Sequence, residues 1–155
     1  MKVLFLDIDG VINRFKFYKD GGLDNTFDED CIKRLANIVN ETGCAIVISS
    51  TWKYSNDLMD TLEEDLFPKL PKGCVAGCTP NDILRPYREE EIQKYLQQHP
   101  EIENYVIVDD YDFELKSFLG KGHIVITDAL EGLSEEDMNE CIRILNTERK
   151  ENGQT

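Results

Sequence analysis

Four short stretches of the chain carry continuous rather than alternating apolar runs: KVLFLDI (2–8), CAIVISS (44–50), YVIVDD (105–110) and HIVIT (123–127). A strand with one face in water alternates apolar and polar residues, so unbroken runs of this length belong to strands covered on both faces. Between them lie stretches of helical periodicity, at 28–43, near 55–66, near 88–98 and at 134–149. The first has Asp28 as a cap, apolar residues at Ile32, Leu35, Ile38 and Val39, and Gly43 as its stop. The last opens on Ser134 with Asp137 three residues on, a capping-box pattern. A short apolar piece, CVAG (74–77), follows the second helical stretch. Strands and helices in alternation, with both strand faces apolar, predict an α/β fold: a doubly wound, Rossmann-like parallel sheet sandwiched by helices.

A chain of 155 residues is expected to form one domain, and a globule of this size buries roughly 70% of the surface its unfolded chain exposes. The domain is expected over 1–149, with 150–155 as a flexible tail. Hydrophobic residues at 41% and charged residues at 31% exclude a disordered chain. No apolar run approaches the 18 or more residues of a membrane span, and the N-terminus breaks into acids too early for a signal peptide. A cytoplasmic location is the resulting expectation. The five cysteines, Cys31, Cys44, Cys74, Cys78 and Cys141, are odd in number and scattered, which reads as reduced thiols, and four-ligand zinc spacing is missing. The net charge of −14 repels nucleic acid and anionic membranes when summed over the surface, although a local patch can oppose the sum.

In an open parallel sheet the functional crevice lies beyond the carboxyl ends of the strands. Three runs end there in complementary polar residues: the first in Asp7 and Asp9, the second in Ser49, Ser50 and Thr51, and the third in Asp109 and Asp110. Four carboxylates gathered at one edge repel one another, and a hard divalent cation held by oxygens, typically Mg²⁺, relieves that repulsion. An EF-hand loop starting at Asp7 fails, because its fifth position is Val11 and its twelfth is Tyr18.

With those residues in view, DIDGV (7–11), VISS (47–50) and VDD (108–110) resemble motifs of the haloacid dehalogenase-like superfamily. SSTWK, REEEIQKYL, YVIVDDYD and VITDALEGL further resemble segments of the small subgroup named for Swiss Army knife RNA-repair proteins. The likeness spans roughly 2–145 and implies a Mg²⁺-dependent phosphohydrolase working through an aspartyl-phosphate. It implies Asp7 as nucleophile and Asp9 as the acid that serves the leaving group and the base that activates water. On an extended strand both side chains would point the same way, past Ile8. It implies Mg²⁺ on the Asp7 carboxylate, the Asp9 carbonyl and Asp110, with Asp109 as ligand or helper. Ser49 and the Ser50 N–H would bind phosphoryl oxygens. The remaining cation is either Arg88, which matches the usual position but not the usual lysine, or Lys94.

Two other readings start from the same residues. A phosphoacceptor signalling domain also uses acidic strand ends, but there the acidic pair ends the first strand and the acceptor a later one, the reverse of the order here. A binding scaffold without turnover would not need both Asp7 and Asp9. Trp52 reads as an apolar anchor after the second strand or as a substrate platform, and His99 and His123 as structural. No cap domain fits between the motifs, only a hairpin flap over about 13–27 (NRFKFYKDGGLDNTF) that turns at Asp20-Gly21-Gly22. The site is therefore expected to be open and to admit large phosphorylated groups. Arg14, Lys16 and Lys19 on the flap, interleaved with Phe15, Phe17 and Tyr18, either face water over an aromatic underside or track the phosphates of a nucleic-acid end.

Overall fold

The computed structural model describes residues 1–13, 16–17, 23–24, 26–80, 88–111 and 122–147. Its centre is β1 (Lys2–Leu6), which pairs in parallel with β4 (Ala45–Ile48) on one side and β6 (Asn104–Asp109) on the other. Beyond them lie β5 (Val75–Cys78) and β7 (Ile124–Ile126), giving a five-stranded parallel sheet in the order β5-β4-β1-β6-β7. The central strands are the most apolar runs because each has neighbours on both edges and helices on both faces.

Alternation along β1 shares its side chains between two cores. Leu4 and Leu6 join a larger cluster containing Ile32, Leu35 and Ile38 of α1 (Glu29–Thr42) and Ile144 and Leu145 of α4 (Glu135–Asn146). Val3 and Phe5 face the other way, onto Ile92 and Tyr95 of α3 (Arg88–Gln98). Full burial of each such side chain contributes about 1.5–3 kcal/mol, so the two clusters hold the helices to opposite faces. The doubly wound architecture is as the apolar runs predict, and no large cap is present among the described residues.

Local signals set the helix ends. Asp28 accepts from the N–H groups of Asp30 and Cys31, and Gly43 closes α1 with φ +71°. Ser134 and Asp137 form the reciprocal capping box of α4. That helix stops at Asn146, short of the expected 149: Thr147 is extended, and its hydroxyl bonds back to the Arg143 carbonyl at 2.6 Å. Leu145 is the last buried position among the described residues. The stretch expected as one helix near 55–66 is α2 (Asn56–Thr61) followed by a wider turn over Leu62–Leu66 that buries Leu62 and Leu66. The flap is represented by an antiparallel pair, β2 (Lys16–Phe17) and β3 (Leu23–Asp24); Arg14, Phe15, Tyr18, Lys19 and the Asp20-Gly21-Gly22 turn lie outside the described residues, as does the tail 150–155.

Candidate active site

Every strand of the main sheet hands over at its carboxyl end to a buried polar residue. In spatial order these are Thr79, Ser49, Asp7, Asp109 and Thr127, none more than 4% exposed. Backbone bonds tie the row together: Thr79 N–H to the Ile48 carbonyl, Ser49 N–H to Leu6, Asp7 N–H to Val108, and Thr127 N–H to Asp109. Parallel pairing at one register therefore brings together residues up to 120 positions apart (127 minus 7).

Carboxylate oxygens of Asp7, Asp109 and Asp110 lie within 4.8 Å of one another. Arg88, the first residue of α3, bonds the Asp109 carboxylate through Nη1 and stands 3.4 Å from Asp7 Oδ1. A cation at a helix N-terminus opposes the helix dipole, and these two acids offset that cost. The other Asp109 oxygen accepts the Tyr111 N–H at 3.0 Å, so each of its oxygens has one donor. Burial, opposed by Arg88 and reinforced by the Asp109 and Asp110 charges, pushes the Asp7 carboxyl up to about 8. Burial likewise raises Asp109 against the pull of Arg88.

The donor set fits a hard divalent cation. All three side chains offer oxygen, and three carboxylates against one guanidinium leave two negative charges (−3 + 1 = −2) when ionised. Gly10 makes room for one of the three: a Cβ built there would overlap Asp110 Oδ2 and lie 2.8 Å from its Cγ. The Gly10 φ of +78° is a second reason for glycine. Neighbouring elements clamp this loop, with Gly10, Val11 and Ile12 carbonyls taken by the Thr127 hydroxyl, Leu133 N–H and Asp28 N–H. Gly10→Ala is therefore expected to lower stability by about 2–3 kcal/mol, read by chemical denaturation. A loss below about 0.5 kcal/mol would show that the loop yields and that Asp110 is not wedged against it.

Ser49 stands beside this cluster on the next strand. Its hydroxyl is buried and has no hydrogen-bond partner, the only such side-chain atom among the described residues. An unmet buried hydroxyl costs on the order of 1–3 kcal/mol, a cost that an arriving acceptor removes. Ser50 is differently employed: its hydroxyl caps the 3₁₀ turn Thr51–Tyr54 by accepting the Trp52 N–H at 3.2 Å.

The family model described as the HAD domain in Swiss Army Knife RNA repair proteins matches residues 3–138. The chain belongs to that family. No curated protein and no solved structure matches it. Membership of a HAD-type family suggests a phosphohydrolase or a related function.

Not every expected residue is gathered there. Extended alternation does not carry Asp7 and Asp9 together, because β1 ends at Leu6 and the chain then turns, with Val11 and Ile12 N–H groups both reaching the Ile8 carbonyl. The Asp9 carboxylate is outside the three-acid cluster and is held by Asn13 Nδ2 at 2.9 Å and Trp52 Nε1 at 3.0 Å. Lys94 is exposed, about 9 Å further along α3 than Arg88, and no described contact joins it to the acids. His99 and His123 stack on Tyr95 and Tyr105 at 4.0 Å.

The reading of single motifs missed a buried ion pair in this HAD domain. Lys53 Nζ bonds Glu91 Oε2 and Thr79 Oγ1, both at 2.6 Å, and the Tyr54 hydroxyl donates to the same Glu91 oxygen at 2.7 Å. Burial pulls the Lys53 ammonium below the usual lysine range, against the Glu91 carboxylate that favours its charge. Glu91 lies three residues after Arg88 on one helix face, so this pair anchors the turn from which Arg88 reaches Asp7. The only sequence signal was an EEE run that reads equally well as a solvated face. No helix among the described residues is long and apolar enough to cross a membrane.

Proposed function

We infer that the protein is a Mg²⁺-dependent phosphatase that hydrolyses phosphomonoesters through an aspartyl-phosphate on Asp7, at an open site suited to large substrates. One observation carries this reading: an unpartnered, buried Ser49 hydroxyl next to a cluster of buried Asp7 and Asp109, half-buried Asp110 and an arginine. Neighbouring donors and acceptors of this kind suit a group that has both anionic oxygens and an electrophilic phosphorus.

In the first step an Asp7 oxygen attacks phosphorus, the P–O ester bond breaks, and Asp9 gives its proton to the leaving oxygen. In the second, Asp9 takes a proton from water as that water attacks the phosphorus of the acyl phosphate. Inorganic phosphate leaves and the Asp7 carboxylate is restored. Ser49, the Ser50 N–H and Arg88 bind the phosphoryl oxygens through both steps. Asp7, Asp110 and the Asp9 carbonyl would hold Mg²⁺, with Asp109 as ligand or helper, its oxygens already shared with Arg88 and the Tyr111 N–H. The bound ion supplies positive charge that lets Asp7 ionise and offsets charge on the phosphoryl oxygens. Without that charge, a carboxyl pushed up to about 8 is largely protonated at neutral pH and is no nucleophile.

An open site favours the ends of macromolecules over small metabolites. Arg14, Lys16 and Lys19 on the flap, together with a family described by RNA repair, support nucleic-acid ends as the substrate to try first. The net charge of −14 works against that choice.

The test is a substrate panel with p-nitrophenyl phosphate, nucleotides, phosphopeptides and 3′- or 5′-phosphorylated oligonucleotides. Hydrolysis is expected with Mg²⁺, to fall at least about 100-fold in EDTA, and to return when Mg²⁺ is restored. Undiminished activity in EDTA would sink the metal assignment. Hydrolysis of nothing in the panel would favour a phosphate-binding scaffold.

A further inference from the structure

Asp9 sits on a turn, outside the extended strand, where a carboxylate has several rotamers open to it. Two donors from different parts of the chain remove that freedom. Asn13 Nδ2 gives to Oδ1 at 2.9 Å, and Trp52 Nε1 gives to Oδ2 at 3.0 Å. Each donor is itself held. Asn13 accepts the Gly10 N–H at 3.2 Å through its amide oxygen, which fixes the direction of its amide nitrogen. Trp52 is buried, its backbone N–H is bound by Ser50, and its ring lies 5.7 Å from Phe27.

We propose that Trp52 and Asn13 are positioning residues that aim Asp9 for proton transfer, with the Trp52 indole N–H setting the rotamer of the reacting carboxyl. The proposal rests on the phosphatase reading above. A carboxylate has about four lone-pair sites, and these donors use two, so the proton bound for the leaving group has an orbital left to occupy. A buried indole N–H also needs an acceptor for stability alone, and that bland role predicts a different experimental outcome.

The discriminating measurement is leaving-group dependence. The value of kcat/KM reports events up to loss of the leaving group. An alkoxide must be protonated as it departs, whereas p-nitrophenolate departs without help. Trp52→Phe keeps an aromatic ring in the cavity and removes only the donor. It is expected to lower kcat/KM at least about tenfold for an alkyl phosphate and less than about threefold for p-nitrophenyl phosphate, since general acid catalysis contributes roughly 10²–10⁴-fold. Equal losses on both esters overturn the proposal. A wild-type enzyme that hydrolyses neither ester removes the phosphatase reading and this proposal with it.

A second readout holds even if Trp52→Phe folds poorly. The chain has a single tryptophan, so indole emission reports the surroundings of Trp52, to which the Asp9 carboxylate belongs. Asp9→Ala is expected to shift the emission maximum or intensity, and Asn13→Ala to produce a smaller change of the same sign. Emission unchanged by Asp9→Ala shows that the indole does not grip the acid, and overturns the proposal.

Discussion

Asp7→Asn is expected to reduce hydrolysis of any phosphomonoester by about 10⁴-fold or more, while raising the stability of the metal-free protein at pH 8. Both effects come from one carboxyl. A neutral amide cannot attack phosphorus, and it also has no charge to bury. In the fold, Asp7 is raised from 3.8 to about 8, so it binds its proton more tightly folded than unfolded. Its contribution to stability is complete below 3.8 and is lost as pH climbs through about 8. The metal-free wild type should therefore weaken between those values, whereas Asp7→Asn should not suffer that loss. The melting-point gap between variant and wild type should be small at pH 5, open to an equivalent of roughly 2–4 kcal/mol at pH 8, and shrink on adding Mg²⁺. Retained turnover in protein free of contaminating phosphatase would end the nucleophile assignment. A gap that ignores pH would end the electrostatic account of the cluster.

Lys53→Met should be the most damaging substitution outside the acid cluster, costing about 3–5 kcal/mol by chemical denaturation. The methionine fills much the same space. What it cannot do is balance Glu91, which would keep the Tyr54 hydroxyl at 2.7 Å but lose the ammonium at 2.6 Å. Removing both charges leaves no orphan, so adding Glu91→Gln to Lys53→Met should recover part of the loss. A coupling of about 1–3 kcal/mol in the double-mutant cycle is expected. Since Glu91 and Arg88 share the first turns of α3, the single variant should also weaken phosphate-ester hydrolysis. A single-variant loss within about 0.5 kcal/mol would show that water enters and screens Glu91.

Much of this protein was legible along the chain because its strongest signals are local. Unbroken apolar runs require strands covered on both faces, and Asp28, Gly43 and Ser134 satisfy helix ends through atoms at most four residues away. Asp7, Ser49, Asp109 and Asp110 were readable for a related reason: each directly follows or closes a buried run, and parallel strands aligned at one edge must bring such residues together. Thr79 and Thr127 end their runs in the same way, but a lone threonine after a short strand carries no chemistry of its own.

Tertiary structure decided which groups touch. Whether Arg88 or Lys94 meets the acids depends on how α3 approaches the sheet, and the helix presents its first residue there. The Lys53–Glu91 pair joins positions 38 apart and the Trp52–Asp9 bond positions 43 apart. Neither follows from spacing, because a side chain's partner across such a distance depends on the packing of every element between them. The position of Asp9 turned on a similar point: the strand stops at Leu6, where backbone bonding to Val108 and a turn at Ile8 replace extended alternation. The sequence by itself determined the α/β sheet and the polar edge where its strands end. Only the folded chain determined the electrostatic partners at that edge, because burial and charge separation are properties of three-dimensional neighbours.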